Sequence, residues 1–255
     1  MVLTRDIKQL ATKITSVIII FLLWLLYRLV IISVDNKGYV DSKRCFKDII
    51  LLDFLNGLTR FLASDLQYRD YALIFGSSVL DITFLFVLIH FILYGNSSRL
   101  IFSLGIFYPL RTVLQLTFLL QWYDTSIFDF PGFYSLVVPL HPGTDFFFSG
   151  HIGSTTICML YFRDNFRERI FYYLSIPIVF LEGFVMLSLR GHYFIDLVFG
   201  FIVSHYVYIH AEILSNLLDN KWPIFGRKLK ISEKDSRSIE TSFDLIVINK
   251  TPINN

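Results

Sequence analysis

Two histidines stand where their neighbours could make them reactive. The first closes the run Gly143-Thr144-Asp145-Phe146-Phe147-Phe148-Ser149-Gly150-His151, at the opening of an apolar stretch. A small residue, then Gly, then His at a helix N-terminus makes an anion site. The free backbone N–H groups and the helix dipole favour phosphate, Gly permits close approach, and His can move a proton. The second histidine lies in Arg190-Gly191-His192-Tyr193-Phe194-Ile195-Asp196. His192 and Asp196 are four residues apart, so on a helix they share one face and their side chains can meet. A carboxylate on one imidazole nitrogen fixes the tautomer and makes the other nitrogen a better nucleophile or base.

Other residues are candidates to support this pair. Ser149 and Gly150 belong to the helix opening itself. Asp145 either caps that helix or relays a proton, and Arg190 either anchors at the interface or binds phosphate. Arg111 falls inside an apolar run, where an unpaired charge is expensive. It therefore pairs with Asp81 or Glu182, or it faces a polar cavity. His205 and His210 read as packing or interface residues, and His90 has no evident partner in the sequence. No His/Cys/Asp/Glu cluster has metal-ligand spacing, so neither a metal nor another cofactor is expected.

Composition says what must hold these residues in place. Of 255 residues, 54% are hydrophobic and only 17% charged, Phe alone supplies 27, and mean hydropathy is +0.57. A soluble domain carries about a quarter charged residues. This chain lacks the polar surface to cover a water-soluble globule, and its expected solvent is a bilayer. A net charge of +2 and two cysteines exclude a disordered chain, a disulfide scaffold and a nucleic-acid partner.

The expected fold class is all-α and polytopic. Six apolar spans fall near 15–34, 71–95, 99–121, 147–162, 171–189 and 193–214. Each approaches the ~20 residues a helix needs to cross roughly 30 Å of hydrocarbon. The first is too long an apolar run, with no small-residue cleavage site after it, to read as a signal peptide. Residues 48–64 differ: Leu51, Phe54, Leu55, Leu58, Phe61 and Leu62 recur at helical spacing with Asp53, Asn56 and Arg60 between them. That amphipathic pattern suits a helix lying in the interface. The chain thus divides into an N-terminus (1–14), a six-helix catalytic domain (15–215) and a polar, flexible tail (216–255). With six spans, the openings of the fourth and sixth lie on one membrane face, and topology alone brings the two histidines level.

With these residues in place, the sequence resembles the type-2 phosphatidic acid phosphatase superfamily, on Ser149-Gly150-His151 together with His192-x-x-x-Asp196. More narrowly it resembles the six-span lipid phosphotransferase branch. Asp145-Phe-Phe-Phe-Ser-Gly-His151 is similar to the sphingomyelin synthase pattern G-D-x-x-x-S-G-H. Arg190-Gly-His-Tyr-Phe-Ile-Asp196 is similar to the R-G-H-Y-T-I-D of plant phosphatidylcholine:diacylglycerol cholinephosphotransferases. The close resemblance covers about residues 105–202. Three features depart from these patterns. The phosphatase motif K-x6-R-P is absent, since no Lys lies between Lys47 and Lys221. Met186 stands where that branch places an Arg, six residues before the second His. Pro142 precedes Gly143, and the Cys that opens the sphingomyelin synthase motif is missing. The first two departures favour a transferase over a phosphatase, and the third leaves the acceptor open.

The resemblance implies that His192, oriented by Asp196, attacks the phosphorus of a phospholipid such as phosphatidylcholine. His151 protonates the departing diacylglycerol, and a second lipid alcohol, diacylglycerol or ceramide, then takes the phosphocholine or related head group. Competing readings are a lipid phosphate phosphatase with water as acceptor, and a transporter or scaffold. A carrier holds its site near the midplane on broken helices, whereas these residues lie at helix mouths. The endoplasmic reticulum, Golgi and plasma membrane all suit such a protein, with the site on the lumenal or outer face and room for a homo-oligomer.

Basic residues give the orientation: with both termini cytosolic, fourteen of the 23 Lys and Arg fall inside and seven outside. Asn96 (in Asn96-Ser97-Ser98) and Asn249 (in Asn249-Lys250-Thr251) are glycosylation sequons. On this topology both stay unmodified in a eukaryotic host. An endoglycosidase-sensitive shift that disappears in Asn249→Gln would invert the orientation.

Overall fold

A computed structural model of the chain describes residues 2–35, 49–118, 126–137 and 147–221. Among these, seven helices and no strands occur: α1 (Val2–Asp35), α2 (Ile49–Ser64), α3 (Leu66–Tyr94), α4 (Arg99–Thr117), α5 (Gly150–Asn165), α6 (Ile170–Ser188) and α7 (Phe194–Lys221). Five are long and apolar enough to cross a membrane: α3, α4, α6, and the segments Ile7–Leu26 of α1 and Phe194–Asp219 of α7. Their outward faces carry large exposed apolar side chains such as Phe75, Phe180 and Ile202, which suit lipid contact. Among the described residues the regular structure is all helical, and the five apolar helices make this an integral membrane protein.

The expected fourth span is the exception. α5 begins at Gly150 rather than 147 and has 16 residues, about 24 Å at 1.5 Å per residue. Every residue from Gly150 to Phe162 is buried, enclosed chiefly by α3, α6 and α7. That explains its hydroxyl-rich sequence: a helix surrounded by protein need not be lipophilic. Glycines permit the close approach. A Cβ on Gly153 would lie 2.3 Å from the Phe107 ring, and one on Gly200 of α7 would lie 2.8 Å from the Ser149 carbonyl oxygen.

α2 fits the amphipathic pattern of residues 48–64. Leu55, Thr59 and Leu62, at i, i+4 and i+7, are buried, while Phe54 and Phe61 are exposed. The Thr59 hydroxyl donates to the Ser188 carbonyl at 2.9 Å and ties α2 to the end of α6. The side chain of Asp65 then caps α3 by accepting from the Gln67 N–H at 2.9 Å. α7 continues to Lys221, past the expected end of its span at 214. The rest of the expected tail, 222–255, lies outside the described residues.

The segment 126–137 departs from expectation. The sequence places it in a loop outside the membrane, yet it descends into the bundle. At its upper end the Ile127 N–H donates to the Leu189 carbonyl at 3.1 Å, next to the start of α7. At its lower end the Asp81 carboxylate accepts from the Ser135 hydroxyl (2.8 Å) and from the N–H groups of Leu136 (2.9 Å) and Val137 (3.1 Å). The indole N–H of Trp24 donates to the Val137 carbonyl at 3.0 Å. Asp81 stands fifteen residues into α3 from Leu66, about 22 Å along its axis. Irregular backbone at such depth requires partners for its polar groups. Asp81 and Trp24 supply them.

Asp81→Leu removes all three acceptor contacts, leaving the Val137 N–H only the Ser135 hydroxyl at 3.2 Å, and each donor left unmatched costs about 1–3 kcal/mol. We expect a lower melting temperature in detergent. We also expect faster maleimide labelling of a cysteine placed at Leu136. Unchanged melting and labelling would show that the segment does not depend on Asp81.

Candidate active site

The two histidines meet at one end of the bundle. The His151 and His192 rings lie 5.8 Å apart between centroids and 76° from coplanar. Both side chains are buried. His151 occupies the first turn of α5. His192 lies in the short connection between α6 and α7, one turn before Asp196 in the first turn of α7.

Asp196 joins the two segments. Its Oδ2 accepts from the Tyr193 N–H at 3.0 Å and lies 3.4 Å from His192 Nδ1. Its Oδ1 accepts from the Phe147 N–H at 2.9 Å, and its carbonyl accepts from the Ser149 N–H at 3.1 Å. Nδ1 of His192 thus faces the carboxylate. Neither ring nitrogen of His151 makes a hydrogen bond among the described residues.

The α5 N-terminus is built as its sequence suggests. Ser149 is the N-cap, its hydroxyl facing the Ile152 N–H at 3.5 Å. Arg111, from the middle of α4, reaches this point fully buried, and its Nε donates to the Phe148 carbonyl at 3.0 Å. The guanidinium lies against Gly150, where a Cβ would be 2.8 Å from its central carbon. Glycine at 150 therefore serves the passage of Arg111 across the helix opening. Of the two acids considered as partners for Arg111, Asp81 is occupied by segment 126–137. Glu182 is buried with neither carboxylate oxygen hydrogen-bonded among the described residues.

Two non-glycine residues adopt positive φ among those described, and they flank the site: Phe147 at 81° and Arg190 at 54°. Arg190 ends α6 in the left-handed conformation usually given to Gly, with its N–H on Leu187 O and the Gly191 N–H on Met186 O. Such backbone costs on the order of 1 kcal/mol and persists where surrounding contacts hold it. The Arg190 side chain extends toward α2, with Nη2 3.4 Å from the Asn56 side-chain oxygen. Asp145 lies outside the described residues.

Phe128 reaches the site from segment 126–137. Its ring stands edge-on to His151 at 6.3 Å and fills the space over Gly191, where a Cβ would meet it at 2.6 Å. Phe148, directly before Ser149, is a core residue packed on Phe107. The remaining histidines lie elsewhere. His90 is 3.0 Å from the Tyr161 hydroxyl, His205 stacks with Phe201, and His210 Nδ1 is 2.9 Å from the Tyr206 carbonyl. No group of three or more His, Cys, Asp or Glu converges as a metal site among the described residues.

No curated protein and no solved structure matches the chain. Residues 143–213, from the approach to α5 through most of α7, match the family model described as PAP2 superfamily C-terminal. That stretch contains both histidines and Asp196, and the match supports membership in the type-2 phosphatidic acid phosphatase superfamily, a family of lipid phosphatases and phosphotransferases.

Proposed function

We propose that the protein is a membrane lipid phosphotransferase. It moves phosphocholine, or a related head group, from a phospholipid to a lipid alcohol (diacylglycerol or ceramide) through a phosphohistidine. The observation that carries this reading is the His151–His192 pair, with Asp196 behind Nδ1 of His192. Nε2 of His192 attacks phosphorus and forms the N–P bond as the P–O bond to diacylglycerol breaks. His151, entering protonated, gives its proton to the departing oxygen. A second lipid alcohol then loses its proton to His151 as its oxygen attacks phosphorus and the N–P bond breaks, restoring both histidines.

The electrostatic setting favours the charge that develops on the phosphoryl group. The N-terminal end of α5 and the Arg111 guanidinium present positive charge beside His151, where the phosphoryl oxygens gain negative charge. Arg190, whose side chain lies against Asn56 of α2, becomes a further phosphate ligand on turning toward the head group. In this reading the site faces the lumen or exterior.

The test uses purified protein in liposomes containing head-group-labelled phosphatidylcholine with diacylglycerol or ceramide. Labelled product lipid supports the transferase and names the acceptor. Free phosphocholine or phosphate as the sole product supports a phosphatase using the same histidines, and no turnover with any lipid overturns an enzymatic role. His151→Ala, His192→Ala and Asp196→Asn should each lower turnover by roughly 100- to 10,000-fold. The double histidine variant should be little worse than either single one, because the residues act as a unit. Retention of more than about a tenth of activity in His192→Ala would remove it as the nucleophile.

Transfer also requires that water lose to a lipid alcohol. Phe128, whose ring covers His151, is the group placed to exclude it. We expect Phe128→Ser to raise the ratio of free phosphocholine to transferred lipid. An unchanged ratio at retained activity would assign water exclusion elsewhere.

A further inference from the structure

α2 meets the turn that delivers His192, and its inner face is fixed there. The buried Thr59 hydroxyl donates to the Ser188 carbonyl at 2.9 Å. Leu62 belongs to the same buried cluster as Val185, Met186 and Leu189. Asn56 lies three residues before Thr59, on the same side of the helix, and is half-buried. Nη2 of Arg190 donates to its side-chain oxygen at 3.4 Å. We propose that Asn56 is a positioning residue for Arg190, holding the guanidinium on α2 until a phosphate arrives at His151 and His192. The proposal rests on the lipid phosphotransferase reading and extends it to how donor is told from acceptor.

Three observations carry it. First, the backbone of Arg190 is fixed two residues before His192. It takes φ 54°, its N–H donates to the Leu187 carbonyl, and the Gly191 N–H donates to the Met186 carbonyl. What can change is the direction of the long side chain. Second, the resting partner is a neutral amide, and 3.4 Å is long for such a bond. Phosphate accepts shorter, charge-assisted and bidentate bonds from a guanidinium, roughly twice as strong as those between neutral groups. Asn56 therefore keeps Arg190 while no phosphate is present and yields it when one is.

Third, the opposite face of α2 presents Phe54 and Phe61, 81% and 54% exposed, while Leu55, Thr59 and Leu62 are buried. A helix seated in the interface in this way holds Asn56 and Arg190 at head-group level. A phospholipid brings phosphate to that level, and a lipid alcohol does not. The alcohol meets Arg190 already turned to the phosphoryl group on His192. The exchange at Asn56 thus belongs to the donor step alone.

The test titrates the full chain in detergent with orthovanadate and reads binding from the rise in melting temperature. Asn56→Asp gives Arg190 a charged partner and should weaken vanadate binding about fivefold. Asn56→Ala removes the resting partner and should tighten it about threefold. Asn56→Ser takes its place if that variant folds poorly. Neither substitution should shift binding in an Arg190→Gln background. In liposomes the same variants should move kcat/KM for phosphatidylcholine in those two directions and leave kcat/KM for the acceptor alcohol alone. A residue that only braces the fold would give losses with either substitution. Shifts of one sign, no shift, or shifts that persist without Arg190 would overturn the proposal. Opposed vanadate shifts without lipid turnover would sink the transferase alone, and turnover without opposed shifts would sink the role of Asn56 alone.

Discussion

Asp196 receives hydrogen bonds on both carboxylate oxygens and on its carbonyl, from residues on each of the two segments that carry histidines. Its side chain is completely buried. An ionised carboxylate in such a place is tolerable only when its lone pairs are matched by donors. The Phe147 and Tyr193 N–H groups meet that demand, and in doing so they fix the approach to α5 against the first turn of α7. The left-handed backbone of Phe147 follows from this arrangement, because its N–H must turn toward the carboxylate. Gly200 follows as well, one turn further on, since a side chain there would collide with the Ser149 carbonyl.

α4 and α6 are drawn to the same point. Arg111 crosses α4's buried face to the Phe148 carbonyl, and the end of α6 turns through Arg190 and Gly191 to deliver His192. Phe128 can lie over the pair because Gly191 leaves room for its ring. Segment 126–137 is consequently held at both ends, by Leu189 near the site and by Asp81 deep in α3.

How much of this could be read in advance depended on the range of each contact. His192 and Asp196 were legible because four residues is a helical neighbour distance, and the interfacial face of α2 was legible from periodicity. That two distant helix openings meet followed from counting apolar spans. The boundary of α5 was harder, since hydropathy measures fitness for lipid and this helix meets almost none. Asp81 was one of two acids weighed as partners for Arg111, beside a polar cavity. Its real partners are a hydroxyl and two backbone N–H groups more than fifty residues away, and nothing in their residue types advertises them.

The burial of α5 also bears on how the protein is made. From Gly150 to Phe162 no residue faces outward, and the helix carries His151, Ser154, Thr155 and Thr156. Such a helix has little affinity for lipid by itself. It leaves the ribosome after α3 and α4 but before α6 and α7, which supply much of its enclosure. α5 gains a stable home in the membrane only when the next two helices arrive and close around it. Membrane integration of the histidine-bearing half is therefore a collective act of three helices, completed after the first four are in place.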